Sequence, residues 1–267
     1  MMAFPEFRGA TRRLILINLG AYFALLLASF IFAAHEQNEA LLKFDPFVFV
    51  HGALWQPLTY SFIHPSKMII GTLFELLSLW FLAGFLENYH NAGWVTSLYA
   101  ASVLGTAAAA LALYAAARFV APSLLNDAQP LYGCFGGIFG LLTAIGVLYG
   151  DMQFMMFPLP IGIKARYLVV IYVLVAVAML FGQQHMYAFA QLGGAAAGAL
   201  FVRRAPRRNV SLAVSESWYG LRNRYYRWKR RRAARKFEVY MRQQGRTVHF
   251  DGKGRQIDDD SDKKRWN

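Results

Sequence analysis

Over the first 202 positions polar residues are sparse, and long apolar runs are separated by short polar breaks. Six runs approach the roughly 20 residues that a helix needs to cross a hydrocarbon core. They extend from Leu14 to Ala34, Met68 to Leu86, Gly93 to Ala117, Leu131 to Gly150, Tyr167 to Phe181 and Met186 to Val202. The first is uncharged, the second holds one acid (Glu75), the third is rich in alanine, and the last two are short. The pattern predicts an all-α polytopic membrane protein with six transmembrane helices. The first run is too long for a cleavable signal peptide and lacks an Ala-x-Ala-like exit.

Two stretches break this rhythm. Between about His35 and Lys67 the chain collects Phe44, Phe47, Phe49, Trp55, Tyr60 and Phe62, with Pro46 and Pro57 as breakers. Aromatic residues with polar edges suit the membrane interface, so this segment is expected to be a structured, partly embedded loop. After Pro206, Trp218, Leu221, Tyr225 and Trp228 recur at three- and four-residue steps. That spacing predicts one helix over about 211–244, with Ser215 a candidate cap and Gly245 its stop. The acidic run 258–262 is expected to be disordered. The implied organisation is a short basic N-terminus (1–13), a membrane domain (14–202) and a basic tail (203–267).

Composition sharpens this division. The chain is 57% hydrophobic and 16% charged, with a mean hydropathy of +0.31. A soluble domain is about a quarter charged, so disordered, collagenous and ordinary cytosolic classes are excluded. The net charge is +13, and all of it falls on residues 203–267. Basic residues mark the cytoplasmic side of a membrane protein. Arg8, Arg12 and Arg13 precede the first run, and Arg203, Arg204, Arg207 and Arg208 follow the sixth. Both termini are therefore expected in the cytoplasm, in a bacterial inner membrane. Cys134 is the single cysteine, which excludes internal disulfides and multi-cysteine metal sites. No cofactor and no metal are expected.

Five local motifs, in order, resemble the rhomboid intramembrane serine proteases and their inactive relatives over roughly residues 12–204. They are Trp55-Gln56-Pro57-Leu58-Thr59-Tyr60-Ser61-Phe62-Ile63-His64; Leu73-Phe74-Glu75-Leu76-Leu77 with Trp80 to Gly84 and Glu87; Gly133-Cys134-Phe135-Gly136-Gly137 followed by Gly140; Ile163-Lys164-Ala165-Arg166-Tyr167; and Ala190-Gln191-Leu192-Gly193-Gly194 followed by Gly198. The glycine pairs Gly133/Gly137, Gly136/Gly140 and Gly194/Gly198 are Gly-x-x-x-Gly spacings that let helix backbones touch. The fourth and sixth membrane helices should therefore cross closely.

The resemblance implies a serine nucleophile in the fourth helix and a histidine base in the sixth. Phe135 and Gln191 stand there instead. In the second helix the family's His and Asn positions are held by Gly71 and Glu75. A phenyl ring cannot attack a carbonyl, and a carboxamide is no general base. An ionised Glu75 would repel an oxyanion. Cys134 is the remaining candidate nucleophile, displaced by one residue and about 100° around the helix, with no histidine near it in sequence. A buried cysteine without a partner is usually a packing residue.

Glu75 is read either as a binding group in the former active-site cavity or as a structural acid bonded to Gln191 or Tyr132. Phe135 is expected to fill the cavity volume. Trp55 and His64 are expected to anchor the loop and line the client or cavity site with Glu75 and Gln191. Glu87 is expected to cap the second helix and bond to the loop that follows it. Arg222, Arg227, Lys229, Arg230, Arg231 and Arg232 are expected to meet anionic lipid headgroups, nucleic acid or an acidic protein partner being the alternatives. The favoured function is a pseudoprotease that binds transmembrane clients or a membrane complex. An active endopeptidase using Cys134 and a structural subunit of a membrane complex are the competing classes.

Overall fold

The computed structural model describes residues 5–32, 40–64, 69–120, 129–156, 161–182, 184–204, 210–245, 249–250 and 256–257. The ends of the first loop near His35 and Lys67, Pro206 and the acidic run 258–262 lie outside the described residues. The chain forms two compact units, Met1–Asn209 and Val210–Asn267.

The first unit contains α1 (Gly9–Phe32), α2 (Pro46–Val50), α3 (Gln56–Thr59) with a 3-10 turn (Tyr60–Phe62), α4 (Ile69–Tyr89), α5 (Ala92–Val120), α6 (Phe135–Leu148), a hairpin of β1 (Gln153–Met156) and β2 (Ile161–Lys164), α7 (Ala165–Met179) and α8 (His185–Arg204). Each predicted apolar run thus contains a helix. Among the described residues, three helical segments are long and apolar enough to cross a bilayer: Gly9–Ala28, Ile69–Tyr89 and Ala92–Val120. At 1.5 Å per residue, α6 and α7 rise only about 21–23 Å, short of a core of about 30 Å. The unit is an integral membrane domain.

Small residues set the centre of the bundle. A Cβ on Gly194 would stand 2.6 Å from the Gly136 carbonyl oxygen, and one on Gly198 would stand 2.6 Å from that of Gly140. Backbone therefore lies on backbone where α6 crosses α8, as the glycine pairs imply. Gly105 of α5 faces Ala197, and Gly193 of α8 faces Ala109, so α8 lies closely against α5 as well.

The N-terminus of α1 is closed from a distance. The Glu87 carboxylate accepts from the Ala10 backbone N–H at 2.8 Å, the Thr11 N–H at 3.0 Å and the Thr11 hydroxyl at 2.7 Å. A helix start leaves such N–H groups unsatisfied, and a carboxylate suits its partial positive charge. Glu87 therefore caps α1, in place of the expected bond to the loop after α4.

The first loop is structured, as its aromatic residues suggest. Asp45 caps α2 through the Phe47 N–H (2.8 Å). Trp55 Nε1 donates to the Leu41 carbonyl at 3.0 Å, and the Tyr60 hydroxyl donates to the Val103 carbonyl of α5 at 2.8 Å. Phe44 and Leu131 exchange both backbone hydrogen bonds. That bridge delays the fourth helix, so α6 starts at Phe135 and not at Leu131. Gly133, at φ +85°, turns the chain into it; only glycine takes this conformation without strain.

The β1–β2 hairpin was not expected. Its antiparallel register pairs Gln153 with Lys164 and Met156 with Ile161, and it buries Phe154. Phe154 meets Phe81 and Phe85 of α4 edge-on, at centroid distances of 5.7 and 5.0 Å.

The second unit is α9 (Val210–Gln243) and a short antiparallel pair, β3 (His249–Phe250) and β4 (Gln256–Ile257). The helix bounds agree with the expected 211–244 to within a residue. Gly245, at φ +73°, ends it, as a glycine past a helix C-terminus does.

Candidate functional site

Four elements bring a polar cluster together inside the apolar bundle: α1 supplies Asn18, the end of the first loop supplies His64, α4 supplies Glu75, and the residue before α6 is Cys134. All four are buried, Asn18 and Cys134 completely. Asn18 sits on the inner face of the apolar stretch of α1 that follows Arg13, where its Nδ2 donates to the Leu14 carbonyl at 2.7 Å. This fixes the carboxamide, so its Oδ1 faces His64 Nε2 at 2.9 Å. An amide oxygen only accepts, so Nε2 carries a proton. The other ring nitrogen, Nδ1, lies 3.1 Å from Glu75 Oε2. One shared proton completes that contact, held by the carboxyl or by the imidazole.

The second carboxylate oxygen, Glu75 Oε1, is buried and makes no hydrogen bond. It points at Gly133, where a Cβ would come within 2.6 Å of it. The Gly133 N–H donates to the carbonyls of Tyr60 (3.0 Å) and Ile63 (2.9 Å). Those bonds draw the α6 entry onto the 3-10 turn and seat Cys134 beside the acid. Ligand-type atoms of His64, Glu75 and Cys134 all lie within 4.8 Å of one another.

Several expectations change at this point. Glu75 bonds to His64 and not to Gln191 or Tyr132. Gln191 is buried on α8 but does not reach Glu75. Cys134 does have a histidine nearby, brought in by the loop. Phe135 does not plug an interior cavity: it is 36% exposed and meets Tyr187 edge-on, with centroids 6.3 Å apart. The helical step of about 100° explains the exchange, since Cys134 turns inward where Phe135 turns out. Gly71 is exposed on α4. Trp55 is half exposed and holds the loop through Leu41, away from the cluster. Asn18 escaped the sequence reading; a lone carboxamide in an uncharged span was the available signal.

The cluster is poorly arranged for nucleophilic catalysis. A Cys–His pair needs a free ring nitrogen aimed at the sulfur. Here His64 spends Nε2 on Asn18 and Nδ1 on Glu75, and the thiol has no exposure.

In the second unit, Arg222, Arg227, Lys229, Arg230 and Arg232 are exposed on α9, whereas the Arg231 side chain lies outside the described residues. Tyr225 and Trp228 are exposed beside them, and the Arg232 guanidinium lies over the Trp228 ring, 5.4 Å from its centroid.

Long apolar helices around a buried polar cluster define an integral membrane protein. The model of a family described as "Eukaryotic integral membrane protein (DUF1751)" matches residues 16–223, and the chain belongs to that family. The eukaryotic description stands mildly against the bacterial inner membrane expected from the sequence. No curated protein matches the chain.

Proposed function

We propose that this chain is a rhomboid-like membrane protein of six crossings, with both ends cytoplasmic, that holds the transmembrane helices of other proteins without cutting them. One observation carries the reading. α4 packs on α1, α5 and α6, and α7 packs on α6 and α8, while among the described residues α4 and α7 make at most marginal contact with one another. Both offer large apolar side chains outward: Ile70, Leu73 and Phe74 from α4, and Val170, Ile171 and Leu174 from α7. Phe154 of β1 wedges against α4 at one end of this seam. A client helix could lie along the open remainder, gaining the van der Waals contact that drives helix association in lipid.

The absence of cutting rests on Phe135 and Gln191 at the family's dyad positions and on the engaged ring of His64. The exposed basic face of α9, with its aromatic residues, suits attraction to anionic headgroups; RNA and an acidic protein remain the competing partners for it. Photocrosslinking tests the client reading. A crosslinkable residue at Phe74 or Leu174 should capture transmembrane proteins in native membranes, and one at Leu104 of α5 should not. Equal capture from all three positions would overturn it.

A further inference from the structure

We propose that His64, Glu75 and Cys134 form a binding site for one divalent transition-metal ion of the zinc class, inside the membrane domain. The three side chains offer an imidazole nitrogen, a carboxylate and a thiolate, the donor set such an ion takes. They come from three separate elements, and their ligand atoms lie within 4.8 Å of one another. Tetrahedral coordination at zinc distances sets ligand atoms about 3.3–3.6 Å apart. The present Nδ1···Oε2 separation of 3.1 Å need open only slightly, and the sulfur need close by about 1.2–1.5 Å at most.

Two independent features point to a ligand here. Glu75 Oε1 is buried, without a hydrogen bond, and turned toward Gly133, the residue before Cys134. The donor beside it is the weak thiol of Cys134, and an under-satisfied buried oxygen on an acid is costly in an apolar bundle. Second, His64 is oriented as a metal-bound histidine is. Such a histidine donates its other ring N–H to an acceptor that fixes tautomer and direction. His64 Nε2 donates to Asn18 Oδ1, and Asn18 is itself tied to the Leu14 carbonyl. That leaves Nδ1 as the ligand atom, facing the acid.

Charge balance favours the exchange. With one proton in the His64–Glu75 contact and one on the thiol, the metal-free cluster would be neutral. A divalent ion displaces both protons, leaving neutral imidazole, carboxylate and thiolate around it, and the site is again neutral. No net charge is buried in the membrane domain, where charge is expensive. Sequence alone hid the set: the three residues are far apart along the chain, and no two have motif spacing.

The test uses the intact protein, expressed with zinc in the medium and purified in detergent without chelator. Metal content by mass spectrometry should be about one zinc per chain. Cys134→Ala and His64→Ala should lower it at least about tenfold, and Asn18→Leu should weaken retention against a chelator about 10–100-fold, acting by positioning His64. Growth with cobalt gives a readout independent of any variant's folding. The wild type should show a thiolate-to-cobalt charge-transfer band, and Cys134→Ser, once circular dichroism shows that it folds, should lack it. Wild-type protein with neither zinc nor the cobalt band would overturn the proposal, as would zinc retained in full by Cys134→Ala. Client capture plays no part in these readouts.

Discussion

Glu87, at the end of α4, holds Thr11, at the start of α1, through both its backbone N–H and its hydroxyl. Two membrane helices far apart in sequence are thus tied at one end of the bundle. Hydrogen bonds to a charged group contribute about 1.5–3 kcal/mol each when partly buried. Glu87→Ala should lower stability in detergent by about 2–4 kcal/mol, with Glu87→Gln intermediate. Denaturant titration followed by circular dichroism checks this. No change in either variant would mean that water replaces the cap without loss.

Gly133 makes a second, sharper prediction. Its φ of +85° disfavours any side chain, and a Cβ would press on Glu75 Oε1. Gly133→Ala should destabilise by about 1–3 kcal/mol from backbone strain alone. The accompanying Glu75→Gln change should not rescue it, because the carboxamide occupies the same space. Rescue would locate the problem in the charge of Glu75.

His90, between α4 and α5, carries a pH dependence. It stacks on Trp94 at a centroid distance of 3.9 Å, and the Tyr149 hydroxyl lies 3.1 Å from Nε2. Burial lowers its pKa below the usual 6.5, so the folded protein favours the neutral ring, which shares a hydrogen bond with the Tyr149 hydroxyl. The unfolded chain then binds the proton more readily as pH falls. This contribution to stability is complete above pH 6.5 and declines below it. It levels off once pH is beneath the depressed native value. Thermal melts across this range should show the slope, and His90→Phe should flatten it. An unchanged slope in His90→Phe would assign it to other groups.

The basic helix yields a lipid prediction. A peptide covering residues 210–245 should bind phosphatidylserine vesicles and ignore phosphatidylcholine. Each basic residue at the surface contributes about 1 kcal/mol, so neutralising Lys229, Arg230, Arg231 and Arg232 should weaken binding by up to about 4 kcal/mol. Co-sedimentation at two salt concentrations measures it. Binding to RNA of similar strength, with none to anionic vesicles, would favour the nucleic-acid reading.

The helices of the membrane domain were legible because an apolar run of helical length has few other uses in a chain this poor in charge. The α6–α8 crossing was legible for a similar reason: Gly136, Gly140, Gly194 and Gly198 have no side chains to pack, so close approach is their role. The polar cluster was not. Asn18, His64, Glu75 and Cys134 meet only because the first loop folds back and Gly133 turns the chain beside it. Local pattern carries no record of such contacts. The motif position of Phe135 suggests interior filler, whereas the chain's turn into α6 directs Cys134 inward in its place. The β1–β2 hairpin escaped because four-residue strands show too little alternation beside longer apolar runs.

The central claim is that this membrane domain holds helices and does not cut them. The most direct test is incubation of the purified full-length protein in bilayer discs with a transmembrane reporter, beside Cys134→Ala and an active rhomboid protease. The account predicts an uncut reporter with the wild type and with the variant, while the active control cleaves it. Cleavage by the wild type would contradict it, and loss of that cleavage in Cys134→Ala would make Cys134 the nucleophile.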